Sequence, residues 1–155
     1  MTEVEVSHLF SELAKSTEVL HKKSNSVNEI IERFQEKLDE LKPGVEVWLP
    51  DNPLASRKQL VENGDEDHRV IEIAQELGYS RVDRTWTLAV REAQYNYDDT
   101  GDPDLVSAGE PEPLLKKSRR IRIEALGLFP TLLRNIKAAV EEAIESIDRA
   151  EKFVK

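Results

Sequence analysis

Residues 2–44 read TEVEVSHLFSELAKSTEVLHKKSNSVNEIIERFQEKLDELKPG. Val6, Leu13, Leu20, Val27, Phe34 and Leu41 follow one another at steps of seven, and Phe10, Thr17, Ser24, Ile31 and Leu38 form a second series three residues before the last five of them. Alternating steps of three and four place both series on one face of a helix, the arrangement packed helices require. Thr2 with Glu5 has the form of a capping box, and Pro43-Gly44 ends the pattern. The spacing predicts one helix over 2–42, roughly 55–60 Å long at the α-helical rise. Ser24-Asn25-Ser26 is its weak point, since Ser26 and Glu29 have the form of a second cap. The phase of the seam is kept across it, which favours a single helix. Thr17 and Ser24 put two polar layers in mid-seam, where such residues either mark a less buried stretch or set register and oligomeric state.

The other end of the chain repeats the pattern. Leu126, Leu133, Val140, Ile147 and Val154 are spaced by seven, and Phe129, Ile136, Ala143 and Ala150 fill the second series. Gly127 reads as a helix end and Pro130 as the first turn of a last helix reaching about Phe153, because proline is tolerated there and not in a helix interior. A shorter helix is expected over Leu114 to Leu126.

Between these ends the period falls to two. Val45, Val47 and Leu49 alternate with polar or aromatic neighbours; Ile71, Ile73, Leu77 and Tyr79 share one face of a second segment; Trp86, Leu88 and Val90 share one face of a third. A short turn near Asp83-Arg84 would join the last two as a hairpin. Ala93, Tyr95 and Tyr97 fall on the opposite parity, which calls for a bulge or for a strand whose outer half is covered differently. Leu54 to Val61, between Pro50-Asp51-Asn52-Pro53 and the Glu62–Asp67 stretch, fits a short edge strand or a helical turn. Residues 98–113, rich in Asp, Pro and Gly, read as a long loop.

The expected fold is therefore a single α+β domain over 1–155: a long N-terminal helix (2–42), a small antiparallel meander of three to four strands (45–97), a loop (98–113) and C-terminal helices (114–155), with the terminal helices packed together. This layout is similar to that of prefoldin-type chaperone subunits at the level of topology. The strand region here is longer, the last helix shorter, and no motif is shared.

At 155 residues the chain can bury a core without staples. It has no cysteine, which excludes disulfides, thiolate metal sites and thiol nucleophiles. No apolar run approaches the roughly 18 residues of a membrane span, and MTEVEVSHLF has acids where a signal peptide carries basic and long apolar stretches. A cytoplasmic location is the expectation. The net charge of −9 disfavours non-specific adhesion to nucleic acid or to an anionic membrane.

The chemical motifs do not hold together. Aligning 96–107 on Gly101 gives calcium-type oxygen ligands at Asn96, Asp98 and Thr100, but the twelfth position is Ser107 instead of the bidentate glutamate. Glu18 and His21 have di-metal spacing without the second such pair those sites need, and His8 and His68 have no ligand spacing. There is no nucleophile elbow, P-loop or dinucleotide fingerprint. No cofactor and no catalytic residue is expected.

One local charge anomaly remains. Lys116, Lys117, Arg119, Arg120 and Arg122 make five basic residues in seven within an acidic chain. They can pair with the chain's own acids, with a protein partner, or with phosphates, though no aromatic residues accompany them for base stacking. Trp86, Tyr95 and Tyr97 are candidates to line a pocket between sheet and helices. The leading expectation is a non-catalytic interaction, assembly or regulatory protein that uses its long helices to bind itself, as a homodimer, or another protein. A small-ligand or enzymatic domain is the alternative, and nucleic-acid contact through Lys116 to Arg122 a third.

Overall fold

A computed structural model describes residues 1–62, 68–97 and 101–154. The chain runs α1 (Glu3–Leu41), β1 (Val47–Trp48), β2 (Ala55–Glu62), β3 (His68–Val82), β4 (Thr85–Tyr97), β5 (Pro103–Ala108), β6 (Glu112–Pro113), α2 (Arg119–Leu126) and α3 (Phe129–Val154), with a 3₁₀ turn at Leu114–Lys116. It is the α+β fold expected, with a long N-terminal helix, an antiparallel sheet and C-terminal helices.

Local chemistry sets the limits of α1. The Thr2 hydroxyl accepts from the Glu5 N–H at 3.2 Å, and the Glu5 carboxylate accepts from the Thr2 N–H at 2.7 Å. The helix is continuous through Ser24–Ser26, because the Ser26 hydroxyl bonds back to the Lys22 carbonyl at 3.1 Å instead of capping a new start. Lys42 ends it in the left-handed region at φ 50°, with its N–H on the Leu38 carbonyl. Pro43 bars Lys42 from helical geometry.

All strand pairs are antiparallel. The two long strands β3 and β4 form the centre, paired without interruption from Val70–Tyr97 to Val82–Thr85. Asp83 and Arg84, both at positive φ, make the two-residue turn between them. Each long strand carries two short ones on its outer edge: β1 and β2 on β3, β6 and β5 on β4. Leu54–Val61 is thus accounted for by an edge strand.

The sheet has two covered faces. On one, Leu77, Tyr79, Leu88 and Val90 pack against Ile31 and Leu38 of α1, Leu114, Ile121 and Ala125, and Phe129, Leu132 and Ile136 of α3. On the other, Ala74, Glu76 and Ala93 are fully buried. That second covered face explains the change of apolar parity at Ala93, Tyr95 and Tyr97. No bulge interrupts β4 against β3; the register shift lies on the β5 side, where Val106 is the extra residue.

Three expectations need correction. Residues 98–113 are not wholly loop, since β5 and β6 lie within them. Proline and short polar residues are compatible with the outer edge of a sheet, which is where these strands sit. The helix expected over Leu114–Leu126 begins only at Arg119, because Ser118 caps it by accepting from the Ile121 N–H at 3.4 Å. The seam of α3 is rotated: Leu132 is buried whereas Leu133 is 43% exposed. Asn63–Asp67, Asp98–Thr100 and the His68 side chain, on which the loop, calcium and histidine readings partly fell, lie outside the described residues.

The terminal helices do pack together, through Phe34 stacked on Phe129 at 4.3 Å between ring centroids. This contact involves only the C-terminal half of α1. Its buried residues are Ile31 and Leu38, with Val27 and Phe34 partly buried against the same core. Among the described residues, none before Val27 belongs to this core.

Candidate functional site

The heptad pattern of α1 continues in phase for three heptads, nearly six turns, beyond Val27, the last seam residue packed against the core. On that projecting half Val6, Leu9, Phe10, Leu13 and Leu20 are exposed, Phe10 at 66% and Leu13 at 58%. Thr17 and Ser24 are half-buried in the same stripe. Its flanks are nearly free of charge: Ser7, Ala14 and His21 on one side, Leu9, Ser16 and Lys23 on the other. Acids and lysines such as Glu12, Lys15, Glu18 and Lys22 lie on the outer faces, where Lys22 meets Glu18 at 3.6 Å and His8 meets Glu12 at 3.2 Å. A second exposed stripe, Leu133, Ile144 and Ile147, runs along α3. Solvation of an amphipathic helix on its apolar face is unfavourable by about 25 cal/mol per Å², and contiguous apolar surface of this kind marks an interaction surface.

The pocket candidates do not line one cavity. Trp86 lies on the helix face of β4, stacked on Tyr79 at 5.3 Å, beside a hollow of about 510 Å³ bounded by Asp39, Lys42 and Arg84. Tyr95 and Tyr97 lie at the other end of β4 and on its other face, lining a shallow hollow of about 340 Å³ with Ser56, Glu72 and Pro103. The two groups diverge because Tyr95 stands nine positions along the strand from Trp86, an odd offset that puts it on the opposite face.

Tyr95 belongs to a buried charge cluster. Glu76 is 0% exposed; it accepts from Arg91 Nε at 2.9 Å and from the Tyr95 hydroxyl. The Arg91 guanidinium stacks on Trp48 at 4.5 Å, and Trp48 lies over Gly78. Burial first, and the hydrogen bond to Glu76 second, push the Tyr95 phenol up to about 12. Tyr97 donates to Glu72 at 2.9 Å, and that bond, ahead of burial, raises its pKa. Burial and then the charge of Asp39 raise that of Tyr79. Glu76 and Arg91 satisfy one another, so this cluster has the chemistry of an internal clamp. Sequence reading missed both residues, although the signal was present: a two-residue turn at Asp83–Arg84 sets Glu76 directly opposite Arg91.

The basic candidates divide. Lys117 pairs with Glu112 at 2.7 Å and lowers its pKa by hydrogen bond and charge. Arg122 reaches the Asn28 side-chain oxygen and so ties α2 to α1. Lys116, Arg119 and Arg120 are exposed and form no ion pair among the described residues. Among those residues no group of three acidic or imidazole side chains could hold a metal, and no helix is long and apolar enough to cross a membrane. No protein family, no curated protein and no solved structure matches the chain.

Proposed function

We propose that this protein is a non-catalytic interaction protein whose binding surface is the apolar face of α1 before Val27. One observation carries the reading: a capped, regular helix keeps its heptad phase into a region that leaves its apolar side chains exposed among the described residues. The internally satisfied Glu76–Arg91 pair fits a structural role for the sheet, as a platform that fixes the root of the helix. A cytoplasmic setting is part of the same proposal.

The test compares the wild type with Phe10→Lys/Leu13→Lys, two exposed positions whose change leaves the core intact. Each is used as bait, and association is measured by sedimentation velocity and affinity capture. The reading expects a partner, whether the chain itself or another protein, that the wild type retains and the double variant loses at unchanged circular dichroism. Identical association profiles for both baits would refute it.

A further inference from the structure

We infer that the partner of this face is a second copy of the chain, laid antiparallel along residues 3–24 of α1. The inference rests on the reading of α1 as a binding face and adds the occupant and its direction. Charge gives the direction. Residues 3–12 hold Glu3, Glu5 and Glu12 and no Lys or Arg, a net −3, whereas 15–23 hold Lys15, Lys22 and Lys23 against Glu18, a net +2. Antiparallel pairing lays the acidic stretch of each helix alongside the basic stretch of the other, and parallel pairing lays like beside like; most of these charges stand on the outer faces, so they orient the pair through their summed field and not as ion pairs across the seam. The helix dipoles favour the same choice.

Shape agrees. Between Val27 and Leu38 the seam face of α1 is already covered by its own domain, with Ile31 at 1% and Leu38 at 2% exposed. A parallel partner would bring a second domain into that occupied space. An antiparallel partner ends there, its own domain standing at the opposite end. The pairing that uses the whole free seam centres near Lys15. It sets Val6 opposite the second copy's Ser24, Phe10 opposite its Leu20 and Leu13 opposite its Thr17. Each polar layer then meets an apolar side chain, and Thr17 never meets Thr17. At the centre the flanking residues that meet across the axis are Ala14 with Ala14 and Ser16 with Ser16, small enough for close helix approach. No like charges meet on these flanks.

The size is sufficient for a reversible dimer. At their exposures Val6, Leu9, Phe10, Leu13 and Leu20 carry roughly 500 Å² per copy, so two stripes with their flanks would bury on the order of 1,200 Å², the lower end of specific interfaces.

Light scattering on the full chain, at concentrations on the order of 100 μM chosen to populate a weak, reversible dimer, is expected to give about twice 17.7 kDa. Leu13→Lys is expected to return it to the single-chain mass with unchanged circular dichroism. Because the chain lacks cysteine, orientation can be read by disulfide formation. A mixture of Val6→Cys and Ser24→Cys chains should cross-link to each other, and neither should cross-link alone. Self-cross-linking of Ser24→Cys, a dimer indifferent to Leu13→Lys, or a wild type of single-chain mass each overturns the inference. Hydrogen exchange on a single-chain wild type separates the two failures. Fast exchange over 3–24 leaves the apolar face open for a different protein, so the broader reading survives. Slow exchange, with α3 folded onto the stripe, ends both.

Discussion

Arg84 holds φ at 69° in a turn whose other residue, Asp83, is at 50°. Left-handed backbone costs a residue with a side chain about 1 kcal/mol, and glycine is the usual occupant of this second turn position. Arg84→Gly is therefore expected to stabilise the protein by several tenths to about 1 kcal/mol, read as a raised urea midpoint at constant m-value. The buried Glu76–Arg91 pair gives the opposite kind of result. Arg91→Met strands the Glu76 carboxylate in a fully buried site and should cost about 3 kcal/mol, while adding Glu76→Gln should recover much of that loss; a double-mutant cycle in urea measures both. Tyr95 supplies a pH signature. Its phenol ionises near 12 in the fold against 10 in the unfolded chain. Between those values the unfolded chain loses a proton that the folded chain keeps, so the stability this group contributes below pH 10 declines across the window. All three tyrosines are raised, so the phenolate absorbance of the native protein should rise late, with Tyr95→Phe removing the last step.

The elements differ in how far the sequence disclosed them. The limits of α1 were legible because the Thr2–Glu5 box and the Lys42-Pro43 step are local chemistry. Its division into covered and bare halves was not, since a heptad reports that a face is apolar without reporting what meets it. The adjacent Leu132 and Leu133 left the buried face of α3 open by a third of a turn, and packing chose Leu132. β5 was hidden because Asp, Pro and Gly compose both loops and edge strands. The separation of Trp86 from Tyr95 and Tyr97 follows from parity along β4; what the sequence could not supply was that both faces of the strand are covered. β1, like β6, is held by a short ladder. It has two ladder pairs with β3, Val47–Tyr79 and Trp48–Gly78, and the Trp48 ring occupies the space where a side chain on Gly78 would go. Gly78→Ala should push the ring aside and cost about 1–3 kcal/mol, with faster hydrogen exchange over 45–49 as the local sign.

On the scale of the whole molecule, no residue before Val27 enters the core formed by the described residues. Deleting residues 1–22 should leave the unfolding free energy of the isolated chain within about 1 kcal/mol of wild type, because burial and not helix propensity supplies the stability; dilute urea titrations followed by circular dichroism check this. The remainder of α1 is another matter. Gln35 accepts from the Leu88 N–H at 2.6 Å and from the Thr87 hydroxyl at 3.1 Å, Arg122 reaches Asn28, and Phe34 meets Phe129. The first element made is thus completed by the last. At about 5–20 residues per second of synthesis, the apolar face around Phe34 waits several seconds on the ribosome for the segment carrying Phe129 and Ile136. Until then the stretch from Val6 to Leu20 and the Phe34 side of the seam are open together, while β3 and β4 can already meet Ile31 and Leu38. A nascent chain of this protein offers its neighbours on the same messenger more sticky helix than the finished molecule does.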